Sequence, residues 1–390
     1  HFLERQDTPR LTNFGEYLER FPTSYEEQIM EKTSWSCFHG IERWRSNCGC
    51  NSGGRHGWTQ EWRAPLREAL DWLRDALIPL YEDKAREFVK DPWMMREEYI
   101  SLVLDRSFEN VANFFSAHET RPLKDEERVI ALKLLEMERH TLLMYTSCGW
   151  FFDELSGIET VQILSYAARA IQLAEELFAL HLEDIFVRRL QQAKSNLPEF
   201  ADGAGVYERL VKTSMLSLKD VGVHYAVSSL FQDYGGDADI YSYSVCQEEY
   251  NSIEAGAAKM ATGKISVLSK ITHDVELISF SVTHLGNHFL NGGVRTFLGD
   301  EPYELMKEEI RSAFERGDFS ELARLMDKHF GMHTYSLTHL FRDQRRKVLA
   351  LITGRILENI ENRHREMYDE SRALMGLLYE TGVPVPKILL

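Results

Sequence analysis

DIYSYSVCQEEYNSIEAGAAKMATGKISVLSKITHDVELISFSVTHLGNHFLNGGVR, residues 239–295, is where the pattern of this chain changes. Tyr241, Tyr243 and Val245 alternate with Ser242, Ser244 and Cys246. Ile265, Val267, Ser269 and Ile271 recur at every second position, and Ile278, Phe280 and Val282 do so a third time. A period of two filled by β-branched and aromatic residues means strands, because successive side chains of an extended chain point to opposite faces. Gly235, Gly236, Gly256, Gly263 and Gly286 read as the turns between them, and Asn291-Gly-Gly293 as another. The stretch predicts a small antiparallel sheet of a few strands.

On both sides the period is helical. Upstream, Trp62, Leu66, Ala69, Leu70, Leu73, Ala76, Leu77 and Leu80 fall on one helical face, with Pro79 as a kink. Further helices are expected over 94–115, 125–145, 156–190 and 206–231. The third of these opens on Ser156 followed by Glu159, a capping-box spacing, and carries Leu164, Ala167, Ala168 and Ile171 as an apolar stripe. Downstream, the helical period returns at Glu301 with Pro302 in the first turn, and 335–378 is mostly helix. A short helix is expected near 11–21, ended by Phe21-Pro22. The fold class that follows is α+β, predominantly α-helical: a helical bundle, a small antiparallel sheet, then a C-terminal helical segment. The expected divisions are 1–58, 59–235, 236–297 and 298–390.

At 390 residues and 44% hydrophobic content the chain can bury a large core. Its net charge of −16 argues against nucleic acid as a partner. No run approaches about 18 apolar residues, so no membrane span is expected. The sequence opens on His1 with no visible leader, as after processing or in a piece of a longer protein. An odd count of five cysteines favours reduced thiols and a cytoplasmic location over a disulfide framework.

Residues 33–58, TSWSCFHGIERWRSNCGCNSGGRHGW, have no hydrophobic period. They gather Trp35, Trp44 and Trp58 with Cys37, Cys48, Cys50, His39 and His56. A loop of this kind needs packing, an ion or a ligand to offset the cost of ordering it. Cys37, His39, Cys48 and Cys50, with His56 as a further candidate, are thiolates and imidazoles of the kind zinc selects. Buried unliganded thiols, or a disulfide from Cys37 to Cys48 or Cys50, are the alternatives. The tryptophans suit the apolar face of a sugar ring or the lid of a core. Residues 145–154, YTSCGWFFDE, interrupt the helical period at Gly149 and Trp150, as at the wall of a ligand site or at a turn between bundle helices. His284, His288 and Arg295 flank the Asn291-Gly-Gly293 turn and suit either a ligand or solvent. The run of charges at 342–346 reads as a solvated helix face. No phosphate loop, Ser/His/Asp signature or HExxH occurs.

The run T-S-W-S-C-x-H-G-x-x-R-W-x-x-x-C-G-C (33–50) resembles the middle of proteins that join a glycoside hydrolase family 57 domain to the domain of unknown function 3536. Residues 144–173, 285–295 and 335–349 are similar to the same proteins. The resemblance implies an α-glucan or oligosaccharide substrate and, as a partner, an upstream catalytic barrel that supplies the two carboxylates such chemistry needs. It implies a cleft walled by 33–58 and 145–159. Trp35, Trp44 and Trp150 would stack sugars, His39 and Arg43 would bond hydroxyls, and Phe151, Asp153 and Glu154 would line the wall. The function expected is therefore the cleft-forming, non-catalytic half of such a hydrolase or glucanotransferase. The alternatives are a non-catalytic structural or interaction module with no ligand or cofactor, and a domain stapled by zinc.

Overall fold

The computed structural model describes residues 10–384, except Lys32, Trp35, Gly54, Ala257, Asn287, His288, residues 332–334 and the side chains of Arg355 and Asn359. It is an α+β fold, mostly helical. After a short N-terminal helix, α1 (Phe14–Arg20), and the 33–58 loop, the bundle is built from α2 (Arg63–Ala85), α3 (Pro92–Glu98), α4 (Ile100–Leu104), α5 (Phe108–His118), α6 (Asp125–Leu143), α7 (Ile158–Phe178), α8 (Glu183–Leu190) and the single turn α9 (Gly203–Val206). The stripe read from the sequence is the buried one: Leu66, Leu70, Leu73, Leu77 and Tyr81 of α2 enter one core with Trp62, Trp150 and the inner face of α7. No helix among the described residues is long and apolar enough to cross a membrane.

Three expected helices are broken where local chemistry stops them. Residues 94–115 divide because Asp105 is extended and Ser107 begins a new helix, accepting the Asn110 N–H. Residues 156–190 divide at Ala179, which takes the left-handed conformation with φ 51°. That helix opens at Ile158 on Gly157, without the side-chain cap expected from Ser156. Residues 206–231 start earlier, on an Asp202 cap, pass through a π turn at Tyr207–Val211, and restart at α10 (Leu218–Ser229) on a Ser217–Asp220 capping box.

The sheet is a five-stranded meander, β1 (Ala238–Ile240), β2 (Tyr243–Ala255), β3 (Ala258–Ser269), β4 (Val275–His284) and β5 (Leu290–Thr296), antiparallel throughout. Ile265 pairs with Ile278 and Val294 with Phe280, so these residues share the face on which α10 packs. The opposite face is not open to water. α11 (Asp300–Glu315) and α12 (Phe319–Phe330) cover it, with Met260 in their core, and Ser279, Ser281, Thr262 and Thr283 are all buried. Two expected turns are strand positions where a neighbouring ring fills the space a side chain would need. The Cβ of an alanine at Gly263 would stand 2.6 Å from Phe280, and one at Gly293 would stand 2.2 Å from the Phe330 ring of α12. Arg295 is a strap and not a ligand group: its guanidinium donates to the carbonyls of His329 (2.8 Å) and Pro302 (3.1 Å), tying both helices to β5. His284 is buried against Phe231, and His288 lies outside the described residues.

The C-terminal helix α13 (Arg342–Glu380) anchors to the sheet core through Val348 and Ile352. Phe341, just before it, stacks on His224 at 4.2 Å and donates its N–H to His224 Nδ1.

Two acidic side chains of α6 face the bundle interior. Glu136 joins Tyr99, Arg106 and Arg139, whereas Oε1 of Glu138 has no hydrogen-bond partner among the described residues. Burial pushes the Glu138 carboxyl up to about 7. A carboxyl whose folded pKa is raised stays protonated while its unfolded counterpart ionises, so stability falls as pH rises from about 4.5 to 7. Glu138→Gln should therefore gain stability over the parent progressively across that window, by up to about 3 kcal/mol at pH 8. Paired urea titrations at pH 4 and pH 8 check it: a constant difference would place the Glu138 carboxylate in contact with water.

Candidate metal centre and the segment behind it

The 33–58 loop is irregular apart from a 3-10 turn at Glu42–Trp44, and its reversals depend on glycine. Gly40 and Gly49 have φ 68° and 77°, the left-handed region that other residues rarely adopt. These reversals follow His39 and separate Cys48 from Cys50, and they fold both halves of the loop onto one point. Cys37 Sγ lies 3.9 Å from Cys50 Sγ and 3.9 Å from His39 Nδ1, and Cys50 Sγ lies 3.6 Å from the same nitrogen. With Cys48, all four ligand atoms fall within 4.8 Å of one another. All five cysteines are free thiols, so no disulfide forms from Cys37. His56 is exposed and not part of the group. The cluster is one that can hold a metal ion.

The thiols differ electrostatically. Burial alone would push Cys37 up, but hydrogen bonds from His39, Cys48 and Cys50 bring it down to about 7. Burial, with its two thiol neighbours, pushes Cys50 up.

Two arginines back the cluster. Arg43 is buried, lies over the Phe151 ring and donates to the carbonyls of Phe151 (2.9 Å) and Ser36 (3.0 Å). Arg63, 0% exposed, donates to Cys48 Sγ (3.7 Å) and to the Phe152 carbonyl (3.3 Å). The Nε atoms of both lack a partner, and neither arginine forms an ion pair among the described residues. Burial lowers the Arg63 pKa.

The segment these arginines grip runs from a 3-10 turn, Ser147–Trp150, to Glu154. Gly149 has no room for a Cβ, which would stand 2.6 Å from Ile163 of α7. Thr160 donates to the Gly149 carbonyl at 2.7 Å. Asp153 is buried and accepts from the Ser52 N–H, the Ser52 hydroxyl and Gln60 Nε2. Its carbonyl accepts from Trp62 Nε1 and Asn196 Nδ2. Glu154 accepts from Ser195 Oγ (2.6 Å), the Asn196 N–H (2.8 Å) and the Ser156 N–H (3.1 Å).

These placements sort the residues named from the sequence. Cys37, His39, Cys48 and Cys50 come together. Trp150 is 1% exposed, so its ring has no face free for a sugar. Arg43, Asp153 and Glu154 are buried and engaged within the chain, which makes them a backing for the loop and removes them from the surface. Trp44 is half-buried, its indole N–H donating to the Ser147 carbonyl at 3.1 Å, and Phe151 is half-buried under Arg43. His39 and Phe152 are exposed, and Trp35 lies outside the described residues. Arg63, Ser52 and Gln60 were not singled out from the sequence. A signal for Arg63 existed: an arginine in a helix's first turn opposes the helix dipole and needs another reason to be there.

Comparison with known proteins adds one relationship. The chain belongs to the family described as a domain of unknown function (DUF3536), whose model matches residues 58–341. No curated protein and no solved structure matches it.

Proposed function

We propose, from this membership and this site, that the chain is the non-catalytic half of an α-glucan-active enzyme of the glycoside hydrolase family 57 type. In this reading its N-terminal segment and loop form the face against which a catalytic barrel sits. One observation carries it. Between residues 10 and 41, Cys37 alone among the described residues is buried, while Phe14, Tyr25, Ile29, Met30 and Phe38 stand exposed. Large apolar side chains at this density are stabilised by something that covers them. The resemblance of residues 33–50 to the joint between a family 57 domain and the family of this chain supports a barrel as the cover.

His39, Trp44, Phe152 and, by the resemblance, Trp35 are then the groups left to meet a glucan. Trp150, Arg43, Asp153 and Glu154 hold the wall from behind. Zinc is the ion of the Cys/His cluster and keeps the loop in shape. The carboxylates that break or transfer the glycosidic bond belong to the barrel.

Calorimetric titration of maltoheptaose into the protein that joins the barrel to this chain tests the reading. Trp35→Ala with Trp44→Ala should weaken binding about tenfold or more, a loss of about 1.4 kcal/mol. Unchanged affinity removes the cleft-wall role. The exposed apolar segment equally suits a protein partner of a purely structural module, and that reading predicts no glucan binding by either form.

A further inference from the structure

We propose that Cys37, His39, Cys48 and Cys50 form a tetrahedral Cys3His zinc centre whose counter-charge is the buried Arg43–Arg63 pair, and that this pair makes the placement of residues 151–153 depend on the ion. The inference rests on the zinc of the reading above but not on its barrel or its glucan.

The geometry is the first support. Zinc–sulfur and zinc–nitrogen bonds of about 2.3 and 2.0 Å in a tetrahedron put sulfurs about 3.8 Å apart and a sulfur about 3.5 Å from the nitrogen. The observed separations are 3.9 Å between Cys37 and Cys50, and 3.9 and 3.6 Å from these thiols to His39 Nδ1. An ion at the centre needs only small movements of the ligands. Three thiolates and one imidazole in a closed four-ligand set are a structural zinc site in kind, softer than magnesium or calcium would select.

Charge is the second support, and it is independent of the first. Arg43 and Arg63 are buried guanidiniums whose polar contacts among the described residues are carbonyl oxygens and one sulfur, and among those residues no carboxylate lies within ion-pair distance of either. Asp153 is the carboxylate whose field reaches Arg63. A buried cation is costly unless an opposite charge is near. Neutral thiols supply none. A zinc ion with three thiolates and a neutral histidine carries one net negative charge, and with Asp153 this balances the two arginines. On this basis the guanidiniums are the metal's outer shell, and the Arg63–Cys48 contact at 3.7 Å is a charge-assisted hydrogen bond to a metal-bound sulfur.

The third element is connectivity. Arg43 holds the Phe151 carbonyl, Arg63 holds the Phe152 carbonyl, and Ser52, two residues past Cys50, holds the Asp153 carboxylate. Two of these three residues hang on the ligand loop itself, through Arg43 and Ser52, and the third hangs on Arg63, the first residue of α2, whose guanidinium also donates to Cys48 Sγ. Removing the ion leaves three thiols with nothing to draw them together and two buried cations with only the Asp153 carboxylate to offset them. Residues 33–58 and 151–153 should loosen together, while α6 and α7, which pack on each other, should not.

Two measurements on the 390-residue chain decide it. The first is zinc content and the rate of zinc release to a colorimetric chelator, for the parent and for Arg43→Met, Arg63→Met and Arg63→Lys. About one zinc per chain is expected. The methionine variants should release it at least about tenfold faster, and the lysine variant should recover part of the loss. Less than about 0.1 zinc per chain in protein purified without chelator ends the proposal, and with it the zinc of the preceding section but not its barrel. Release at the parental rate in both methionine variants ends the counter-charge role. The second is hydrogen exchange of the parent before and after zinc removal, which needs no variant to fold. Joint loss of protection at 33–58 and 151–153 supports the coupling. Unchanged protection at 151–153 rejects it.

Discussion

Trp150→Ala should lower the stability of the chain by about 4 kcal/mol, the range seen when a large aromatic is removed from a packed core. The side chain is 1% exposed and belongs to the same core as Trp62, Leu66 and the inner face of α7. Its surroundings are tight, since the neighbouring Gly149 has no room even for a methyl group beside Ile163. The cavity left by an indole would therefore stay partly unfilled. Trp44→Ala is the contrasting case: half-buried and held by one hydrogen bond to the Ser147 carbonyl, it should cost about 1 kcal/mol. Urea denaturation of the two variants separates them. Equal and small losses would mean that Trp150 faces solvent or a ligand and not the core.

A second large effect is expected at Arg106. Its guanidinium reaches Glu136 Oε1 at 2.7 Å, the Tyr99 hydroxyl at 2.9 Å and the carbonyl of Ile271 at 3.2 Å, so one side chain ties α6 to the turn between β3 and β4. Burial alone would raise the Glu136 carboxyl, but the hydrogen bond from Tyr99 and the charge of Arg106 outweigh it and hold it below the usual carboxylate range. Arg106→Met leaves that carboxylate buried with a weakened set of partners. Removing one member of a buried pair costs about 4 kcal/mol, mostly the penalty of the charge left behind. Arg106→Met combined with Glu136→Gln should recover most of the loss, because no charge then remains to be solvated. The effect also has a sign in pH. A carboxylate with a depressed pKa contributes stability above its unfolded pKa and loses it as pH falls. The gap between parent and Arg106→Met should accordingly narrow in acid. A double variant no more stable than Arg106→Met would show that the contact to Ile271 matters more than the charge pair.

Much of the fold could be read from periods alone. The three alternating runs at 241–246, 265–271 and 278–282 lie in or beside β2, β3 and β4, and the leucine stripe of α2 is its buried face. What periodicity could not show is the destination of the polar half of each alternation. Ser279, Ser281 and Thr262 would face water in a two-layer protein, but here a second helical layer closes over them. That layer also explains Gly293, where Phe330 presses on the sheet, whereas Gly263 leaves room for the ring of its cross-strand neighbour Phe280 on the α10 face; both look like turn residues in the sequence. Helix breaks at Asp105 and Ala179 depend on single-residue conformations that an apolar stripe does not register.

The site was legible by residue type but not by role. Thiols and a histidine in a glycine-rich loop suggest an ion, and the loop does bring Cys37, His39, Cys48 and Cys50 to one point. Aromatic and acidic residues at 150–154 suggested a surface, yet Trp150, Asp153 and Glu154 are buried in the body of the chain. Their partners, Ser52, Gln60, Trp62, Ser195 and Asn196, come from three separate stretches, and no local pattern announces them. Arg63 is the clearest case. Its partners, the Cys48 sulfur and the Phe152 carbonyl, come from two separate stretches and only the fold brings them to it.

X-ray absorption at the zinc edge, on the chain purified without chelator, bears most directly on the proposal that residues 33–58 are organised around one ion. Three sulfur neighbours at about 2.3 Å and one nitrogen at about 2.0 Å are expected, with no exchangeable water in the shell. A shell dominated by oxygen or nitrogen, or a sulfur count of one, would place the metal elsewhere and leave the four converging side chains without a common purpose.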